Sequence, residues 1–292
     1  MRHHFSGTTN DTGCPRQVST ITTVNPVSNV LASRELLWSL TQRELSTKYR
    51  RSFLGWSWSM LNPLATVGIY GFVFGVLFGA TAPEGRNSGL TSFVFFMLCG
   101  LIPWNFFSMS MSLGMNAISA NSGLVRKVAF CRETLVFSNI AHALVQFLIE
   151  LAILVILLAA FGSPLFIHLP MTLVLVVLLA VFVTGIALAL SALSVFFRDL
   201  TYLWAIATQI WFFITPIVYP PELIESEVPT WGQNLLRLNP MVHFVSEFRA
   251  CLYHAEFPNP QKLLVLVVSS ASTLMIGWWA FTRLSRRLPE EV

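Results

Sequence analysis

The stretch TKYRRSFLGWSWSMLNPL, residues 47–64, sets Lys48, Arg50 and Arg51 beside Tyr49, Trp56 and Trp58 and ends on Asn62-Pro63. Guanidinium groups bind phosphate in a forked geometry, and indole rings settle at headgroup depth, so the stretch suits a charged membrane surface. Trp38, Leu45, Tyr49, Phe53, Trp56 and Met60 recur at spacings of seven, four, four, three and four, which is one face of a helix. Arg43 and Arg50 fall on a neighbouring face. Such a helix lies in the interface, each cation contributing about 1 kcal/mol against anionic lipid. Asn62-Pro63 then marks where a new helix starts, because proline fits a first turn and disfavours helix in the residue before it.

Other chemistry is sparse. No GxxxxGK[ST] loop occurs, and Asp11 and Asp199 are the only aspartates, so there is no paired-aspartate magnesium site. No catalytic residue and no metal site is assigned: His3 and His4 sit in a polar segment with no cysteine or acid at ligand spacing. Cys14, Cys99, Cys131 and Cys251 form no CxxC and fall in four different segments, which argues against a disulfide framework. Glu150 interrupts an apolar run, where an acid costs about 2.5–3.5 kcal/mol at the bilayer centre. Gln146, one helical turn away, offers a polar contact inside the bundle or at a dimer interface; proton coupling is the sharper and less favoured role.

The elements that must position these residues follow from composition. Of 292 residues 54% are hydrophobic and 11% charged, against about 25% charged in a soluble domain, and the mean hydropathy is +0.66. Runs long enough to cross about 30 Å of hydrocarbon lie near 63–82, 92–114, 134–160, 171–197, 201–219 and 263–282. Residues 1–29 are polar and predict a disordered cytoplasmic tail with no secretory signal, and 286–292 a second cytoplasmic tail. With six spans and the amino terminus inside, fourteen of the eighteen Lys and Arg lie inside, leaving Arg86, Arg237, Arg249 and Lys262 outside. Both termini are therefore expected in the cytoplasm. The same asymmetry accounts for the pI near 9.1 without a nucleic-acid partner.

Several stretches, in order, resemble the ABC-2-type permeases that export polysaccharides. They are YRRSFLGWSWSMLNPL at the entry to the first span, NSGLVRKVAFCRETLVF at 121–137, VFFRDL at 195–200, TPIVYP at 215–220 and LNPMVHFVSEFRACLYH at 238–254. Family members often carry a proline where this chain has Cys131. The resemblance implies an all-α integral membrane fold of six transmembrane helices per subunit. An amphipathic interfacial or gate helix would occupy 30–61, the transmembrane domain 62–285, a cytoplasmic coupling segment 121–135, and short external re-entrant or surface helices 220–262, before the last span.

It further implies a homodimer in the bacterial plasma membrane, paired with two copies of a nucleotide-binding ATPase that holds ATP and Mg. This chain itself would hold no cofactor. The cargo would be a polyprenyl-pyrophosphate-linked glycan, with galactan preferred over O-antigen or teichoic acid. Under that reading Tyr49, Arg50 and Arg51 form the gate for the charged lipid head, and Arg126, Lys127, Arg132 and Glu133 couple to the ATPase. Aromatic rings pack on the apolar faces of sugars without fixing register, and Tyr70, Trp104, Phe107 and Tyr219 are the expected channel linings. A secondary transporter would need inverted repeats and midplane ion ligands, and a membrane glycosyltransferase an acidic catalytic constellation; both stand as alternatives.

Overall fold

The structure is a computed structural model that describes residues 68–79, 82–123, 132–197, 199–220 and 229–285, with Thr41, Leu61 and Ala65 singly. Every regular element among these residues is helical. A helical stretch at 68–77, π-helical over Gly71–Leu77, comes first. Seven α-helices follow: α1 (Phe93–Asn116), α2 (Glu133–Ala160), α3 (Leu169–Phe196), α4 (Leu200–Ile214), α5 (Thr230–Arg237), α6 (Pro240–Leu252) and α7 (Pro260–Ser285).

Four of these, α1, α2, α3 with its leading turn Leu165–His168, and α7, are long and apolar enough to cross a membrane. They match the second, third, fourth and sixth expected spans within a few residues. The fifth does not reach its expected length. Helix α4 has 15 residues, about 22 Å at 1.5 Å each, short of about 30 Å of hydrocarbon. It stops because Thr215 precedes Pro216, and the residue before a proline is driven to extended backbone; Thr215 has ψ 127°. The first expected span is described only in part, and the interfacial helix expected at 30–61 lies outside the described residues apart from Thr41 and Leu61.

Helix α3 is the hub, packed against α1, α2, α6 and α7. Small residues permit this, since between helices in lipid the attraction comes from close packing. A Cβ on Gly277 of α7 would overlap the backbone of Gly185 on α3, and one on Gly114 of α1 would come within 2.8 Å of the Ala187 side chain. Hydroxyls and amides add cross-helix bonds: Ser270 to the Leu178 carbonyl at 2.9 Å, Ser194 to that of Met115 at 2.7 Å, and Asn139 to that of Leu113 at 3.3 Å. Helix α2 ends in a Schellman turn. Gly162, at φ +88°, supplies the left-handed residue, and the Ser163 and Gly162 amides satisfy the Leu158 and Ala159 carbonyls.

One end of the bundle gathers the loops. There Tyr253 is fully buried and donates to the carbonyls of Pro83 (3.0 Å) and Leu90 (2.7 Å), fastening the 82–92 segment to α6. Asn87 reaches the Ala255 carbonyl at 2.9 Å, and Arg86 pairs with Glu256 at 3.4 Å. Glu247, 1% exposed, accepts from the Asn259 amide at 2.8 Å and pairs with Lys262 at 3.2 Å, which fixes the start of α7. In α6, expected as a surface or re-entrant helix, Met241, Phe244, Val245 and Phe248 are buried against the bundle.

Candidate translocation groove

Between α1, α4 and the 68–77 helix runs a groove of about 510 Å³. Its α1 wall is Trp104, Ser108, Ser112 and Asn116, each four residues from the last, so that they form one face of the helix. Its α4 wall is Thr201, Trp204, Ala205, Thr208, Gln209, Phe212 and Phe213, again at helical spacing, and Tyr70 closes the side. Met115 completes the lining. None of these described lining residues carries a formal charge. Rings alternate with hydroxyls and amides: faces for the apolar surface of a sugar and partners for its hydroxyl groups.

The rings are held from behind. Trp211 lies with its centroid 5.1 Å from Phe107, 6.5 Å from Trp104 and 6.3 Å from Trp204, mostly edge to face. Trp104 meets Phe212 at 5.6 Å. The Trp211 indole N–H donates to Asn239 Oδ1 at 2.9 Å, and the same oxygen caps α6 by accepting from the Met241 amide at 3.0 Å. The Asn239 amide group donates to Thr215 Oγ1 at 3.3 Å. One side chain thus joins the ring cluster, the end of α4 and the start of α6.

Of the four rings expected to line a channel, Tyr70 and Trp104 border the groove. Phe107 is fully buried, packed on Trp211, Trp104 and Phe182, and it supports the wall rather than facing the space. Tyr219 also does not border it. Its hydroxyl donates to the Phe213 carbonyl at 2.8 Å, closing the end of α4 where helical carbonyls lack partners. The polar half of the lining was not nominated from sequence, although the spacing of 104, 108, 112 and 116 carries the signal.

Tyr49, Arg50, Arg51, Arg126 and Lys127 lie outside the described residues. Arg132 and Glu133 open α2. Arg132 donates to the Ser285 carbonyl at 3.0 Å, where the negative end of α7 favours a cation, and Glu133 occupies the first turn, where the positive end of α2 favours an acid. The contact expected between Gln146 and Glu150 forms at 3.0 Å, with Glu150 6% exposed. Cys99 and Cys251 are buried free thiols.

A family model described as "ABC-2 type transporter" matches residues 35–253. An O-antigen export system permease protein, RfbA of Myxococcus xanthus, is 34% identical over 258 residues, covering 88% of this chain and 94% of that protein. The O-antigen export system permease protein RfbA of Klebsiella pneumoniae is 25% identical over 257 residues, with the same coverage. The polysialic acid transport protein KpsM of Escherichia coli is 28% identical over 246 residues, 82% of this chain and 89% of that protein.

Proposed function

This chain belongs to the ABC-2 type transporter family, and on that premise we propose that it is the transmembrane subunit of an ATP-driven polysaccharide exporter, a multi-pass protein of the bacterial inner membrane. The observation that carries the reading is the groove: its described lining is uncharged, with Tyr70, Trp104, Trp204, Phe212 and Phe213 interleaved with Ser108, Ser112, Asn116, Thr208 and Gln209. Rings give a sliding polymer many similar contacts, and hydroxyls and amides replace the water that sugars lose. With no fixed charge, no register is a deep trap.

The finer reading has six spans with both termini in the cytoplasm, and two copies of the chain paired through the face of α4 that points away from the groove. Support comes from α4, none of whose residues is buried, and from its bare side chains Tyr202, Leu203, Ile206 and Ile210. ATP and Mg reside on a separate nucleotide-binding subunit, in two copies, docked near Arg126, Lys127, Arg132 and Glu133. Tyr49, Arg50 and Arg51 hold the pyrophosphate of a polyprenyl-linked glycan at the cytoplasmic rim. The end of the bundle that holds α5 and α6 then faces outward.

Mild-detergent purification of the tagged full chain, followed by mass spectrometry, tests the assignment. The expected result is a stoichiometric nucleotide-binding subunit, lost when Arg126 and Lys127 are made acidic, together with intracellular glycan when the permease is deleted. Recovery of the chain alone, with transport driven by an ion gradient and not by ATP, overturns it. Arg50→Gln with Arg51→Gln separately tests the gate: export should stop while membrane insertion persists.

A further inference from the structure

The connection between α2 and α3 is built inside out for a turn in water. Over residues 161–168 the exposed side chains are apolar, Phe161 at 65%, Phe166 at 66% and Ile167 at 71%, with Gly162 and Pro164 beside them, while the two polar side chains, Ser163 and His168, are buried. A turn in water shows the opposite arrangement, because polar side chains gain and apolar ones lose by hydration. No Asp, Glu, Lys or Arg occurs anywhere in residues 151–197. The segment 82–92, at the same end of the bundle, carries Glu84 and Arg86.

The backbone of the turn closes on itself. The Phe161, Gly162 and Ser163 amides donate to the Leu157, Ala159 and Leu158 carbonyls, the Leu169 amide to that of Phe166, and Thr172 Oγ1 to that of His168. Such pairing is what a segment needs where water is scarce. The apolar surface is wider than the turn. Phe161 lies 4.9 Å from Phe95 at the start of α1, and Phe257, itself exposed, lies 4.6 Å from the His168 ring. Toward mid-span, Ile156 on α2 and Leu173 and Val177 on α3 are exposed as well, so the same kind of surface continues down two membrane-crossing helices.

Length keeps the turn within the bilayer. Helix α2 has 28 residues, about 42 Å, or about 39 Å along the membrane normal at an ordinary tilt of about 20°. A bilayer with its headgroup layers is about 40–45 Å thick. With Glu133 among the headgroups of one leaflet, the far end of α2 reaches no farther than those of the other.

We propose that the 161–167 turn is a lipid-docking surface, with Phe161, Phe166 and Ile167 seated at the headgroup–acyl boundary. Its occupant is the acyl region of phospholipid: with no charge in the turn, neither anionic lipid nor salt should alter the contact. The orientation under the proposed function makes this the outer leaflet, and that clause alone rests on the exporter reading. The outer end of the bundle is then lopsided, with the α2–α3 side held at lipid depth and the 82–92 side carrying charge.

The test places p-benzoylphenylalanine at Phe166 of the otherwise unchanged full chain, irradiates native membranes and identifies the adducts by mass spectrometry. Phospholipid adducts are expected, as from the same substitution at Ile156, and their yield in phosphatidylcholine vesicles should not change when phosphatidylglycerol is added. Adducts to a second copy of the chain or to another protein, or none to lipid, overturn the proposal. Phe166→Glu with Ile167→Glu should cut the lipid adducts of p-benzoylphenylalanine at Phe161 by about tenfold or more, and undiminished adducts from the folded variant overturn the docking role of these side chains. Both positions are exposed, so the variant should fold; its melting profile is compared with wild type, and Phe166→Ser with Ile167→Ser replaces it if the acids prevent folding. The leaflet is read separately. Arg86→Cys, exposed at the same end, should react with a membrane-impermeant maleimide in spheroplasts; reaction only after lysis overturns the outer-leaflet assignment. Crosslinking needs neither ATP nor a glycan, so failure here leaves the exporter assignment standing, and failure of that assignment leaves the lipid contact measurable.

Discussion

Replacing Asn239 with alanine removes three interactions at once. Its Oδ1 caps α6 through the Met241 amide at 3.0 Å and accepts the Trp211 indole N–H at 2.9 Å, while its amide group reaches Thr215 at 3.3 Å. Loss of an N-cap costs about 1 kcal/mol. A half-buried indole N–H left without an acceptor adds about 1 kcal/mol, and the long Thr215 contact adds little. The expected destabilisation is about 2 kcal/mol. Asn239→Asp keeps both acceptor roles and should stay within about 1 kcal/mol of wild type. The assay is SDS-induced unfolding of the full chain in mixed micelles, read by circular dichroism so that tryptophan substitutions do not alter the signal. Trp211→Phe preserves a ring against Phe107 and Trp104 while deleting the N–H, so a double-mutant cycle isolates the bond, with a coupling of about 1 kcal/mol expected. Strict additivity would refute the claim that Asn239 ties the rings to α6. A cost below about 0.5 kcal/mol for Asn239→Ala would refute the whole accounting.

Thr208→Arg places a cation in a groove whose described lining is uncharged, at a cost of about 2.5–3.5 kcal/mol near midplane; surface glycan should fall by at least about tenfold while the amount of inserted chain is unchanged. Gly277→Leu drives a side chain into the Gly185 backbone and should abolish the folded, protease-resistant chain, whereas Met275→Leu, at an exposed position on the same helix, should not. Glu150→Gln retains a hydrogen-bonding partner for Gln146, so export should persist with an unaltered pH profile; loss of export specifically above neutral pH in wild type and not in the variant would favour proton coupling instead.

Much of the fold was legible because a hydrocarbon solvent imposes length and apolarity. The expected runs at 92–114, 134–160, 171–197 and 263–282 recur as α1, α2, α3 and α7. Rotation about each helix axis was harder to read. An apolar helix such as α3 is hydrophobic all round, so hydropathy does not say which side faces protein. That is why Phe107 was expected in the lining while Trp204 and Phe212 supply it: aromatic type alone does not separate a ring facing the groove from one supporting the wall. Ser108, Ser112 and Asn116 were readable in principle from their spacing, since polar groups on one side of a membrane helix seek protein, a cavity or water.

The clearest gap between sequence and structure is Arg249, counted from sequence as an external loop charge. Helix α4 ends early at Thr215-Pro216, and the carbonyls of the turn that follows need donors. Thr215, Pro216 and Ile217 are buried, and an unsatisfied buried carbonyl costs several kcal/mol. Arg249 reaches from α6 to the carbonyls of Pro216 and Ile217 on one side and Phe96 on the other, so one guanidinium both satisfies the broken helix and fixes it to α1. Those are the two helices whose faces form the groove walls. The break that ends α4 at 15 residues is therefore stabilised by the same residue that ties it to α1. Asn239 makes the parallel connection one turn earlier, through Trp211. Groove width is consequently set from the loop-rich end, and α6 is the element through which a change at that end would reach the rings.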